Sequence, residues 1–134
     1  MVIDTSALLA ILLGEPVADR LVSAVEADPV RLVSAATVVE TGLVLLGRFG
    51  EGAEPQLDRL LRGLQVEVVP VDETQATLAR EGALRFGKGR HPAGLNYGDC
   101  FTYALAADRG EPVLFVGEAF SRTDLSLVVL PEMA

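Results

Sequence analysis

Met1-Val2-Ile3-Asp4-Thr5-Ser6-Ala7-Leu8 opens the chain, and its reading decides the fold. An apolar run that stops at an acid and passes into Thr and Ser reads as a short buried strand over 2–4. Its last residue is a carboxylate, and the hydroxyls cap a leucine-rich helix over 5–13. In an open parallel sheet, ligands collect at the carboxyl ends of the strands. A carboxylate there, joined by two more that the fold brings to it, is suited to hold Mg²⁺ or Mn²⁺.

Outward from Asp4, short apolar runs alternate with longer helical patterns, which is the signature of an α/β fold. The spacing of Val17, Leu21, Val22 and Val25 predicts a helix over 17–27, stopped at Asp28-Pro29. Arg31 to Ser34 reads as a strand, 36–48 as an apolar helix, 54–63 as a helix after a glycine turn, and 66–70 as a strand. An amphipathic helix over 72–85 leads into a Gly-rich loop, 87–95. Asn96 caps a helix over 97–109 that Gly110 closes. A buried strand over 112–116 and an edge strand over 127–130 complete the pattern. Neither a linker nor a repeat interrupts it, so residues 1–134 read as one domain.

The 134 residues are half hydrophobic, enough for a core of their own. No apolar run reaches the roughly 18 residues of a membrane span. Asp4 interrupts the opening too early for a secretory signal. One cysteine, Cys100, excludes an internal disulfide and suits a reducing cytoplasm. One histidine, His91, excludes a multi-histidine zinc site within one chain. The net charge of −8 opposes broad DNA binding, although a local basic patch can still hold nucleic acid. The one dense basic stretch, Arg85-Phe86-Gly87-Lys88-Gly89-Arg90-His91, is either a solvated loop or a phosphate-contacting one.

Two further acids stand out. Glu40 is the only charge between Arg31 and Arg48, inside an apolar helix. Read alone, it lies on the solvent face; paired with other acids, it is a ligand. Asp99 lies in the first turn of its helix, where the dipole favours an acid as a cap and also welcomes a cation-bound phosphate. Cys100 reads as core, His91 as an exposed loop residue, and Tyr97, Phe101 and Tyr103 as packing residues rather than stacking platforms.

Three pieces together resemble the PIN-domain ribonucleases, and among them the VapC-type toxins of toxin–antitoxin pairs. They are Val2-Ile3-Asp4-Thr5-Ser6-Ala7-Leu8, Glu40 following Ser34-Ala35-Ala36-Thr37, and Gly94-Leu95-Asn96-Tyr97-Gly98-Asp99-Cys100-Phe101-Thr102-Tyr103-Ala104-Leu105-Ala106. The resemblance implies a parallel sheet of about five strands sandwiched by helices. It implies Asp4, Glu40 and Asp99 as catalytic acids holding one or two Mg²⁺ or Mn²⁺, with RNA as substrate. It further implies a VapB-type antitoxin that itself binds DNA, and a homodimer. One departure stands out: the family often carries an acid before the phenylalanine here numbered Phe120, where this chain has Ala119. Either Glu118 or Asp124 substitutes, with Asp124 preferred, or three carboxylates hold a single metal.

Hydrolysing a phosphodiester needs a nucleophile at neutral pH, charge neutralisation and in-line geometry, and a carboxylate-held divalent cation answers to these needs. Asp4 and Asp99 are then the principal ligands, with Glu40 contacting the metal directly or through water. Thr5 or Ser6 adds a hydroxyl, and Arg85, Lys88 and Arg90 guide the RNA backbone. Three converging acids also predict raised carboxylate pKa values without the cation. Rival readings are weaker. A phosphoaspartate receiver needs a lysine after a late strand, and the only lysine is Lys88. A dehalogenase-like phosphatase needs a second aspartate at position 6, which is Ser. A cysteine nucleophile would have only His91 as its base. The remaining rival is a PIN fold kept as an antitoxin-binding module, with Ala119 as the sign of decay.

Overall fold

The computed structural model describes residues 1–133. Four short parallel strands form its sheet: β1 (Val2–Ile3), β2 (Leu32–Ser34), β3 (Glu67–Val69) and β4 (Val113–Leu114). Their order is β3-β2-β1-β4. Val2 pairs with Leu32 on one side and Val113 on the other, and Val33 pairs with Val68. The fifth strand expected over 127–130 contributes a single bridge, Leu127 to Val113. The remaining residues of that stretch run on without ladder pairing, so the apolar composition overstated the strand.

Successive strand residues point to opposite faces, and the core divides accordingly. Ile3, Val33 and Leu114 pack with Leu8, Leu21, Leu45 and Leu57 on one side. Val2, Leu32, Val69 and Val113 pack with Tyr103, Leu105 and Phe86 on the other. The first layer comes from α1 (Thr5–Leu12), α2 (Ala18–Ala27), α3 (Ala35–Phe49) and α4 (Pro55–Gly63); the second comes from α5 (Glu73–Phe86) and α6 (Tyr97–Arg109).

Local chemistry sets the helix starts. Asp4 caps α1 by accepting the Ser6 N–H, so the carboxylate is the cap where Thr and Ser were expected to be. Ser34 caps α3, Asp72 caps α5, and Pro55 opens α4. Asn96 and Asp99 form a reciprocal capping box on α6, and Gly110, in the left-handed region at φ 63°, ends it. The chain builds outward from β1 to β3, then returns across to add β4 on the far side of β1. The strand order reverses between β1 and β4, and crevices at such points receive ligands in open α/β sheets.

Candidate metal centre

Asp4 follows β1 at this reversal and is 4% exposed. Its Oδ2 accepts the Ser6 N–H at 3.1 Å and the Ser6 hydroxyl at 2.7 Å. Its Oδ1 accepts the Thr102 hydroxyl at 2.7 Å. Ser6 Oγ in turn accepts the Val116 N–H at 2.9 Å, tying the chain after β4 to the same carboxylate. Three hydrogen bonds to a charged acceptor fix the orientation of Asp4.

Glu40 projects from α3, half-buried. Its Oε1 accepts the Thr5 hydroxyl at 2.6 Å, and Thr41 donates to Thr5 at 3.3 Å. Its carboxylate rests on Gly98 in the first turn of α6, where any Cβ would overlap it. Glu40 is therefore turned toward α6, next to the residue that precedes Asp99.

Asp99 is half-buried and accepts the Asn96 N–H at 3.0 Å through Oδ2. Burial pushes its carboxyl up to about 6, and the bond from Asn96 opposes this; the charges of Asp4 and Glu40 add to the rise. The direction expected for converging acids is thus present at Asp99. Among the described residues no three His, Cys, Asp or Glu side chains stand together as a set that could hold a metal ion. Carboxylate oxygens such as those of Asp4, Glu40 and Asp99 are the donor type a hard divalent cation prefers.

Asp124 is not brought to these acids. Its Oδ1 accepts the Tyr103 hydroxyl at 3.0 Å, and its Oδ2 pairs with Arg85 at 3.2 Å. Glu118, the other substitute considered, is exposed and pairs with Arg122 at 3.7 Å. Ser6 contacts Asp4 as described, whereas Lys88 and Arg90 stand exposed in the loop after α5. That loop is closed by Lys88 N–H to Leu95 O and Leu95 N–H to Phe86 O, both at 2.9 Å. His91 is half-buried, its ring edge-on to Phe86 at 5.1 Å, instead of free in solvent. Cys100 is buried in the core, as read.

Two residues of the site went unnoticed in the sequence. Thr102 lies three positions after Asp99, hence on the same face of α6, and that spacing was the available signal. Gly98 is needed for the approach of Glu40, and only the fold reveals that neighbour.

The PIN-domain family model matches residues 1–125. The chain belongs to the PIN-domain family. Curated relatives of this PIN domain are VapC ribonucleases. Ribonuclease VapC30 of Mycobacterium tuberculosis is 53% identical over 131 residues, covering 98% of this chain and 100% of that protein. Ribonuclease VapC of Mycolicibacterium smegmatis is 56% identical over 128 residues, covering 96% and 99%. The PIN domain is thus a VapC-type ribonuclease, of a class that depends on a divalent metal. Among solved structures, it resembles Mycobacterium tuberculosis VapC20, described as a sarcin-ricin-loop-cleaving toxin, with a TM-score of 0.78 and 21% identity over 97% of this chain and 98% of that one. FitAcB from Neisseria gonorrhoeae gives a TM-score of 0.66 at 20% identity over 96% of each chain. At these identities the two structures speak to the fold.

Proposed function

We propose that residues 1–134 form one domain that acts as the toxin of a VapBC-type pair, an endoribonuclease using Mg²⁺ or Mn²⁺ held by Asp4, Asp99 and Glu40. The observation that carries this reading is the seat of the Glu40 carboxylate on Gly98, between Thr5, which adjoins Asp4, and Asp99. When bound, the cation would supply a lowered pKa for water and neutralise charge at the scissile phosphate. The chain's own part is positional. Thr102 and Ser6 orient Asp4, Thr5 orients Glu40, and the capping box orients Asp99. Lys88 and Arg90 attract the RNA backbone from the neighbouring loop.

The antitoxin is expected to be a VapB-type protein, and contact with DNA to pass only through it. A second copy of the chain is expected on the outer face of α3, where Val39, Leu43, Leu46 and Phe49 are exposed. Among the described residues no helix is long and apolar enough to cross a membrane, and the lone thiol of Cys100 fits a cytoplasmic setting.

The test is cleavage of a mixed RNA pool with added Mg²⁺ or Mn²⁺, beside Asp4→Asn and Asp99→Asn. Metal-dependent cutting lost in both variants supports the nuclease. A folded wild-type protein that cuts with neither metal yields the second reading, an antitoxin-binding module. That reading is favoured by Ala119 in place of an acid and by the engagement of Asp124 elsewhere.

A further inference from the structure

Tyr97 is 83% exposed, although the sequence pattern placed it among packing residues. It is the first residue of α6, and its ring meets Phe101 edge-on at 5.0 Å. The capping box of Asn96 and Asp99 fixes the turn that carries it, so the ring stands in a set position two residues before Asp99. Among the described residues its hydroxyl has no partner.

On one side of the ring lies a cleft of about 630 Å³ between α5 and the start of α6. Its floor is apolar, with Ala79, Ala83, Leu95 and Phe101. Its rim carries three cations, Arg80, Lys88 and Arg90. None of the three is in an ion pair among the described residues, in a chain of net charge −8. On the other side of the ring, toward α3, the cleft that Tyr97 also lines holds Glu40 and no cation. The two sides differ in charge and therefore in what they suit.

A flat apolar wall, an aromatic ring and unpaired cations at the rim together match a ligand with an aromatic plane and an anionic group. A nucleotide of single-stranded RNA is such a ligand. Its base stacks on an aromatic ring whatever its identity, and its phosphate finds the cations. The acids around Asp4 and Asp99 repel phosphates in the absence of a cation, so the rim supplies the attraction that they do not.

We propose that Tyr97 is a base-stacking platform and that the cleft between α5 and α6 seats an unpaired nucleotide of the RNA next to the bond to be cut, its phosphate on Lys88, Arg90 and Arg80. This rests on the ribonuclease reading above and adds to it a subsite.

The experiment measures fluorescence anisotropy of a labelled, 2′-O-methylated single-stranded oligonucleotide pool with the full chain in EDTA, beside a cleavage assay on unmodified RNA with metal. Tyr97→Ala should weaken binding by about 5- to 100-fold. Tyr97→Phe should restore it to nearly the wild-type value, because the stacking needs the ring and not the hydroxyl. Lys88→Ala and Arg90→Ala should each lower the salt slope of binding by about 0.7. A wild-type protein that cleaves RNA while Tyr97→Ala binds as tightly as wild type overturns the subsite and leaves the nuclease standing. Unchanged RNA binding by a Tyr97→Ala protein that has become monomeric overturns it in favour of a second copy on this surface. Neither cleavage nor binding by folded wild type overturns both readings.

Discussion

Thr102 shows how much of the site's geometry rests on groups that carry no charge. Its buried hydroxyl donates to Asp4 from α6, the helix that also carries Asp99, so one hydrogen bond sets two acids relative to each other. Thr102→Val keeps the shape and leaves Oδ1 of Asp4 without its donor. Divalent-metal affinity, measured by calorimetry with Mn²⁺, should fall by about 10- to 100-fold, and Thr102→Ser should recover it. Equal affinity in the Val variant would deny Thr102 this role. Asp99 makes a second prediction at this scale. Burial raises its carboxyl in the folded chain to about 6, above the 3.8 of a free aspartate. A raised carboxyl favours folding in its neutral form, so its contribution is present below about pH 4 and is lost as pH rises through about 6. Asp99→Asn, which keeps an acceptor for Asn96, should therefore raise the Tm of the metal-free protein by about 2–4 °C at pH 7.5 and leave it unchanged near pH 4. A Tm difference independent of pH would reject that assignment. In the wild type, metal affinity should drop by about tenfold per pH unit below 6, as a proton competes for the same oxygens.

At the scale of elements, α6 is punctuated chemically at both ends. The bounds of α6 match the expected 97–109 because Asn96 and Gly110 are local signals. The strands are shorter than the apolar runs predict. Ladder pairing covers Val113–Leu114 where 112–116 was expected, and Glu67–Val69 where 66–70 was, since an apolar residue can be buried without being paired. The contact between α5 and α6 depends on a close approach that no local pattern encodes. A Cβ on Gly82 would lie 2.6 Å from Cδ1 of Tyr103. That ring is packed against Phe86 and its hydroxyl is held by Asp124, so it has little room to retreat. Gly82→Ala should destabilise by about 1–3 kcal/mol, overpacking outweighing the gain in helix propensity. Gly63→Ala, with open space around its new methyl, should stabilise by about 0.5 kcal/mol. Urea titrations of the two variants check both signs, and a stabilised Gly82→Ala would show that the interface yields.

For the whole molecule, the parallel sheet and its reversal between β1 and β4 gather residues that are far apart in the chain, and they also leave the outer face of α3 bare. Leu43 is 63% exposed there. Light scattering on a sizing column should report a wild-type dimer that Leu43→Asp converts to monomer without loss of fold. A wild-type monomer at micromolar concentration would remove this face from the interface. The sequence by itself determined the α/β class and the helices that begin at strong caps, because period and cap chemistry are local signals; it joins Asp4, Glu40 and Asp99 into one set only through the resemblance to the PIN family. Only the tertiary structure decided that Glu40 turns onto Gly98, that Asp124 pairs with Arg85 and not with the acids, and that Tyr97 stands in solvent. These depend on which helices meet, and long-range packing leaves no trace in the spacing of neighbouring residues.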